Sequence, residues 1–205
     1  MELKEISDIL QRGGIKRNID VSQLYLAKRG MSSIPDLSRF PMLRRLWVNN
    51  NKIKNISCLA ISCCLTELYL HNNTITSISG ALGHLTCLKI LSLHNNELRR
   101  LEESVRELKR MQCLHIVSFY LNPLTLDPQY RHYVVHHLPS VKMLDRKEVK
   151  QEERKAAFQR YSPDRHRVLQ SLAFGRRAEA ALLTRSGSIP VGGARATGAD
   201  GILPE

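Results

Sequence analysis

No long apolar run occurs in this sequence. Its apolar residues, 42% of the chain, are interrupted throughout, and no stretch approaches the roughly 20 residues that cross a bilayer as a helix. A transmembrane protein is therefore not expected. The N-terminus, Met1-Glu-Leu-Lys-Glu, lacks the basic-then-apolar form of a secretory leader. Cysteine is sparse and odd in number, five residues with Cys63 and Cys64 adjacent. No disulfide framework is expected, and the reading is a reduced, intracellular chain. There is no C-x-x-C, no H-E-x-x-H, no G-x-S-x-G and no glycine-rich phosphate loop, so the common signatures of metal, hydrolase and nucleotide chemistry are missing. Neither an enzyme nor a bound cofactor or metal is expected. Aromatic residues are only 5% of the chain, with a single Trp, and acidic residues number 19 against 31 Lys and Arg, a net charge of +12. That balance favours an acidic partner, whether nucleic acid, anionic lipid or protein, without choosing among them.

What is present is a repeat. The pattern L-x-x-L-x-L-x-x-N-x-L occurs three times: Leu43, Leu46, Val48, Asn51, Ile53; then Leu65, Leu68, Leu70, Asn73, Ile75; then Leu88, Leu91, Leu93, Asn96, Leu98. The starts lie 22 and then 23 residues apart. This is the signature of a leucine-rich repeat, in which one coil cannot cover its own apolar face and must stack on its neighbours. Each Asn stands where the chain leaves the strand, and its amide is expected to bond backbone groups that no sheet partner reaches. An earlier copy keeps Val21, Leu24, Leu26 and Met31 but has Arg29 in place of Asn, as suits an end coil. A stretched fifth copy runs through Leu114, Val117, Phe119 and Asn122. Leu101, Val105 and Leu108 suit a helical turn on its approach.

Both ends read as caps. Leu3, Ile6, Ile9 and Leu10 fall on one helical face, closed by Gly13-Gly14. Asp127-Pro128 reads as a helix start, with the helix running to about His137, and Val141-x-x-Leu144-Asp145 as a last strand. Asp145 is better read as a turn residue than as a base. The runs Asn122-Pro123-Leu124, Tyr130-Arg131, His137-Leu138-Pro139 and Val141-Lys142-Met143-Leu144-Asp145 resemble the C-terminal cap of short-repeat leucine-rich-repeat proteins. The resemblance covers residues 20–148. Its relatives include phosphatase regulators, a spliceosomal subunit and axonemal proteins of cilia and flagella. It implies an α/β solenoid with a parallel concave sheet, short turns or helices on the convex side, caps at both ends and helices after them. The expected organisation is a helical cap over residues 1–20, the solenoid over 21–148, a basic helical extension over 149–185 and a disordered tail over 186–205.

The concave face carries the candidate site. Phasing places Tyr25, Trp47 and Tyr69 in one exposed aromatic ladder, with Ser92 and Ser118 after them. The row before it reads Gln23, Arg45, Glu67, Ile90, Ile116, and the row after it reads Ala27, Asn49, His71, His94, Tyr120. Aromatic side chains with polar tips are strong interface anchors, although such ladders also stabilise parallel strands with no ligand. A protein-binding site is expected at Tyr25, Arg45, Trp47, Asn49, Glu67, Tyr69, His71, Ile90, His94, Ile116 and Tyr120. Base stacking on this face is a lesser expectation, because these rows are not especially basic. His71 and His94 are ladder neighbours but lack a third ligand, so they are read as solvated polar positions. Cys64, Cys87 and Cys113 share another ladder and are read as small residues in or near the core.

Residues 146–161 mix both charge signs over a thin apolar side and are expected to form an exposed helix leaving the solenoid. Beyond them Arg165, Arg167, Leu169, Leu172, Phe174, Arg176 and Arg177 are expected to dock on an acidic surface, such as a microtubule or RNA. The leading expectation is a non-enzymatic interaction scaffold, and the axonemal relatives imply a structural part of a ciliary or flagellar assembly in the cytoskeleton, with axonemal or microtubule-associated protein partners. The alternatives are a phosphatase regulatory subunit and an RNA-associated ribonucleoprotein subunit.

Overall fold

The computed structural model describes Ile6, Leu10, Gln11 and residues 13–56 and 64–162. The chain divides into two units, Met1–Tyr161 and Ser162–Glu205, and every described strand and helix belongs to the first. Seven strands form one sheet in chain order: β1 (Gln23–Tyr25), β2 (Arg45–Trp47), β3 (Glu67–Tyr69), β4 (Ile90–Ser92), β5 (Ile116–Ser118), β6 (Met143–Leu144) and β7 (Lys147–Glu148). β1 to β6 are parallel and β7 returns antiparallel to β6. This is the leucine-rich-repeat solenoid that the repeat pattern predicts.

The register follows from the pattern. Leu24, Leu46, Leu68, Leu91, Val117 and Leu144 lie in line through the sheet, all buried. Their strand neighbours on either side point outward, because side chains alternate along a strand. Each coil then turns on one residue with positive φ: Lys28, Asn50, Asn72, Asn95 and Leu121. Asn tolerates this left-handed geometry better than other non-glycine residues. The three Asn also link up, Asn72 Nδ2 donating to Asn50 Oδ1 (2.8 Å) and Asn95 Nδ2 to Asn72 Oδ1 (2.9 Å).

In every one of these coils after the first, the next residue is the repeat Asn, and these form a buried spine. Asn73 Nδ2 donates to Leu70 O in its own coil (2.9 Å) and Val48 O in the coil before (3.1 Å), while its Oδ1 accepts from Ile53 N (3.0 Å). Asn96 and Asn122 repeat the arrangement. Each side chain therefore satisfies three buried backbone groups, any of which would cost about 1–3 kcal/mol if left unpaired. The geometry also explains Arg29. A spine Asn donates to the preceding coil, and the first coil has none. Asn51 reaches back instead, its Oδ1 accepting from Arg29 N (2.9 Å) and Met31 N (3.1 Å).

On the convex side α1 (Leu101–Leu108) buries Leu101, Val105 and Leu108, the residues expected to face inward there. Glu107 ties α1 to the preceding coil, accepting from Gly80 N (2.8 Å), Leu82 N (2.8 Å) and Gly83 N (2.6 Å). At the N-terminal end Ile6 and Leu10 are buried. The turn after them is closed by Gly14 at φ +71, with Gly14 N donating to Gln11 O and Ile15 N to Leu10 O (both 3.0 Å). That pair of bonds is a glycine-terminated helix cap.

The C-terminal end departs from expectation in two places. Asp127 does organise a turn, its Oδ1 accepting from Gln129 N (2.7 Å), but Pro123–Leu126 is a short 3-10 turn and the helix, α2 (Tyr130–His137), starts three residues after Asp127. Residues 146–161 do not leave the solenoid. Lys147–Glu148 is β7, and α3 (Gln151–Tyr161) lies along α2. The thin apolar side suffices because ions and rings assist it: Ala157 is fully buried, Arg131 pairs with both oxygens of Glu153 (2.5 and 3.0 Å), Arg154 bonds Val141 O, and Tyr161 packs edge-on against Tyr133. Asp145 closes the sheet. Its Oδ1 accepts from Phe119 N (2.6 Å) and Tyr120 N (3.0 Å), donors that a further coil would otherwise have satisfied, and its Oδ2 accepts from Tyr130 OH (2.7 Å). The Tyr130 hydroxyl, buried beside that carboxylate, is held well above the usual phenol range.

Candidate functional site

Parallel strands in register place equivalent side chains about 4.8 Å apart, close to the spacing of stacked planar rings. The three rings of the predicted aromatic ladder stack accordingly: Tyr25 and Trp47 at 5.4 Å between centroids and tilted by 33°, Trp47 and Tyr69 at 5.3 Å and nearly parallel. Tyr25 is the open end, 60% exposed. Beside it Arg45 Nε donates to Glu67 Oε1 (2.9 Å), and Tyr69 OH donates to Glu67 Oε2 (2.9 Å). Burial, then the Glu67 charge, pushes the Tyr69 hydroxyl up to about 12, so it stays a donor across the physiological range.

A second column begins where the first ends. Tyr69 meets His71 edge-on at 6.4 Å; His71, His94 and Tyr120 then stack at 4.4 and 4.3 Å with planes within 10°. Arg146 closes the column, its guanidinium 4.5 Å from the Tyr120 ring centre. The column leans over Ser92 and Ser118, whose small side chains leave room. Ser92 Oγ lies 3.2 Å from His71 Nδ1, 3.0 Å from His94 Nδ1 and 3.2 Å from Ser118 Oγ.

The two histidines are thus half-buried and stacked rather than solvated. Burial holds both below the ordinary imidazole range. His94 is brought down to about 4, by desolvation first and by His71 and Arg146 after it, against a smaller opposing effect of Asp145. Their Nδ1 atoms converge on a serine hydroxyl, not on a common empty point. Among the described residues no group of three His, Cys, Asp or Glu is arranged to hold a metal ion.

The rest of the expected site is partly gathered on the same face. Ile90 and Ile116 follow Arg45 and Glu67 in register, and Met143 on β6 extends them into an apolar strip. Met143 was legible only as the matching position of a strand two residues long. Asn49 is a correction: it is 7% exposed and cannot offer a contact surface. Its carbonyl is taken by Lys28 N (3.2 Å) and Asn51 Nδ2 (3.3 Å), which draws the residue into the turn. Ser92 and Ser118 continue the ladder row as the phasing places them, and Arg146 joins the assembled face although the sequence pattern did not single it out. Cys87 and Cys113 are also corrected. Both are exposed and Cys64 is half-buried, because their ladder lies just ahead of the strands, outside the core. The residues expected to dock the tail, from Arg165 to Arg177, lie outside the described residues. No helix among the described residues is long and apolar enough to cross a membrane.

Comparison with known proteins agrees with this architecture. The leucine-rich repeat family pattern matches residues 48–172, more than half of the chain. The chain is 34% identical over 131 residues to U2 small nuclear ribonucleoprotein A' of Homo sapiens, covering 62% of this chain and 42% of that protein. It is 36% identical over 101 residues to Centrosomal protein of 72 kDa of Mus musculus, covering 49% of this chain and 15% of that protein. The chain therefore spans less than half the length of either relative. A chain of the Drosophila melanogaster SNF/U2A' complex superposes with a TM-score of 0.62 at 25% identity, over 73% of this chain and 87% of that one. With its own repeats stacked as the pattern requires and this match across most of them, the chain belongs to the leucine-rich repeat family.

Proposed function

We propose that this protein is a non-enzymatic scaffold that docks a protein partner on its concave sheet, in an assembly of the ribonucleoprotein kind. The observation that carries the docking reading is the continuous run of rings from Tyr25 to Tyr120 on the open face of a rigid sheet. Stacking fixes the rings before any partner arrives, so binding costs little side-chain entropy. Tyr25, Trp47 and Tyr69 supply anchor area, and the Ile90–Ile116–Met143 strip supplies an apolar neighbour. The ribonucleoprotein setting is supported by the relatives named U2 small nuclear ribonucleoprotein A' and by the likeness to the SNF/U2A' complex. These relatives favour it over the axonemal setting expected from the sequence.

A second setting, at a centrosome, draws on the likeness to Centrosomal protein of 72 kDa. Affinity purification from nuclear extract and from ciliated cells separates the two, comparing wild type with Trp47→Ala/Tyr69→Ala. The expected result is a set of spliceosomal proteins that the double variant loses while circular dichroism shows it folded. Retention of the same partners by the variant would move the interface off the concave face. Recovery of centrosomal or axonemal proteins, or of a phosphatase, in their place would overturn the ribonucleoprotein setting.

A further inference from the structure

Just ahead of each strand the chain carries one more row, at Ser22, Arg44, Thr66, Lys89, His115 and Lys142. Its register is fixed by backbone bonds: Arg44 N to Ser22 O, Thr66 N to Arg44 O, Lys89 N to Thr66 O, His115 N to Lys89 O and Lys142 N to His115 O, all between 2.8 and 2.9 Å. Arg44, Lys89 and Lys142 are exposed, and none makes an ion pair or side-chain hydrogen bond among the described residues. Of the carboxylates on the neighbouring strand row, Glu67 is already held by Arg45 and Tyr69, and Glu148 stands opposite Met143 on β7. Part of the row borders a groove of about 350 Å³ lined by Ser22, Gln23, Arg44, Thr66 and Lys89 together with the Arg45–Glu67 pair. From Arg44 to Lys142 the row crosses four strand spacings, ~19 Å.

We propose that this basic edge binds the sugar–phosphate backbone of RNA, beside the protein-docking face. The proposal deepens the ribonucleoprotein reading and rests on it. Three features favour a polyphosphate over an acidic peptide. The cations recur at a regular interval on one edge, which suits a ligand charged at every unit. The row runs across the strands, and the N–H groups of Arg44, Thr66, Lys89, His115 and Lys142 are spent between coils, so these positions offer a peptide no strand edge to pair with. The aromatic faces beside it are covered by one another, apart from the Tyr25 end, so bases have little to stack on. Contact is therefore to the backbone and tolerant of sequence.

The test measures binding of a labelled oligouridine to the full chain across a salt series. Wild type is compared with Arg44→Ala/Lys89→Ala/Lys142→Ala, and with Lys52→Ala/Lys54→Ala/Arg110→Ala, which removes the same charge from exposed positions elsewhere. At ~0.7 per single-strand phosphate contact, losing three contacts makes the slope of log K against log salt about 2 shallower. That shift is expected for the edge variant, with the control triple near wild type. Equal losses in both triples would reduce the effect to net charge and overturn the proposal. So would absence of binding at low salt, or a poly-glutamate peptide bound in preference to oligouridine through the same three residues. An edge variant that loses oligouridine yet keeps its protein partners fits two separate faces. Failure of RNA binding with partner capture unchanged removes this proposal and leaves the docking face standing.

Discussion

The two ring columns of the concave face are built by one geometric rule and differ in chemistry. Tyr25, Trp47 and Tyr69 stand at the last strand position, whereas His71, His94 and Tyr120 stand just after the strand. Both stack because the sheet brings equivalent positions to ring spacing. The first column holds no imidazole, and its Tyr69 phenol is pushed up to about 12. The second holds two imidazoles face to face at 4.4 Å with Arg146 at its end. A sheet of this kind stacks whatever flat side chain it is given, and the identity of the ring decides whether the stack responds to pH.

The largest effect should come from the spine beneath both columns. Asn73→Ala and Asn96→Ala each strand three buried backbone groups, so each should cost about 3 kcal/mol or more. Similar losses of urea midpoint at the two sites would confirm that the columns share one support. A much smaller loss at Asn96 would mean that the second column carries stability of its own.

Acid should separate the columns. His94 is held near 4 when folded and titrates about 6.5 when free. Between these values the unfolded chain binds more protons, so stability falls as pH drops from about 6.5 to about 4, with His71 adding in the same direction. Because the rings are partly exposed, the loss should be of the order of 1–2 kcal/mol. His94→Phe keeps a flat ring and should flatten this part of the profile. His136, lowered by burial and then by His137 and Lys109, acts in the same window, and Glu103 enters at its acid end, but both act alike in wild type and variant and cancel in the difference. Asp20 and Asp36, held low by their hydrogen bonds, act at lower pH. An unchanged profile in the variant would contradict the stacked neutral column.

Smaller effects probe the first column and the turns. Trp47→Ala, central in the stack, should cost about 1 kcal/mol more than Tyr25→Ala, at the open end. Leu121 is 66% exposed at φ +58, where three earlier coils place Asn. Leu121→Asn should relieve strain and raise stability by about 0.5 kcal/mol, measured by thermal melting. A loss there would show that Leu121 contributes a contact the turn geometry hides.

How much of this was legible depended on period. Leu46, Leu68, Leu91 and their spine Asn announce a strand and a turn because burial and amide bonding recur every 22 or 23 residues. The Tyr25–Trp47–Tyr69 column follows from phase alone. The second column was half visible: His71 and His94 share a phase, but Arg146 reaches Tyr120 only because Asp145 and Arg146 both turn with positive φ, outside any repeat. A helix is expected over the residues of α3, but its docking on the solenoid escaped for a similar reason. Its docking rests on Arg131 with Glu153 and Arg154 with Val141 O, individual pairs that composition does not encode. The basic edge was hidden by its company, since Thr66 and His115 interrupt Arg44, Lys89 and Lys142 in the sequence row. The paired asparagines at 50–51, 72–73 and 95–96 were a signal in plain view for the left-handed turns.

The most direct measurement uses the only Trp in the chain. Trp47 lies at the centre of the first ring column, so its emission reports on that part of the concave face. A protein captured by the affinity purification would be titrated in a Trp-free form against the full chain. The account predicts a saturable blue shift of Trp47 emission as the face loses water, abolished by Tyr25→Ala/Tyr69→Ala. Binding detected by another signal with Trp47 emission unchanged would contradict the claim that partners dock on this face.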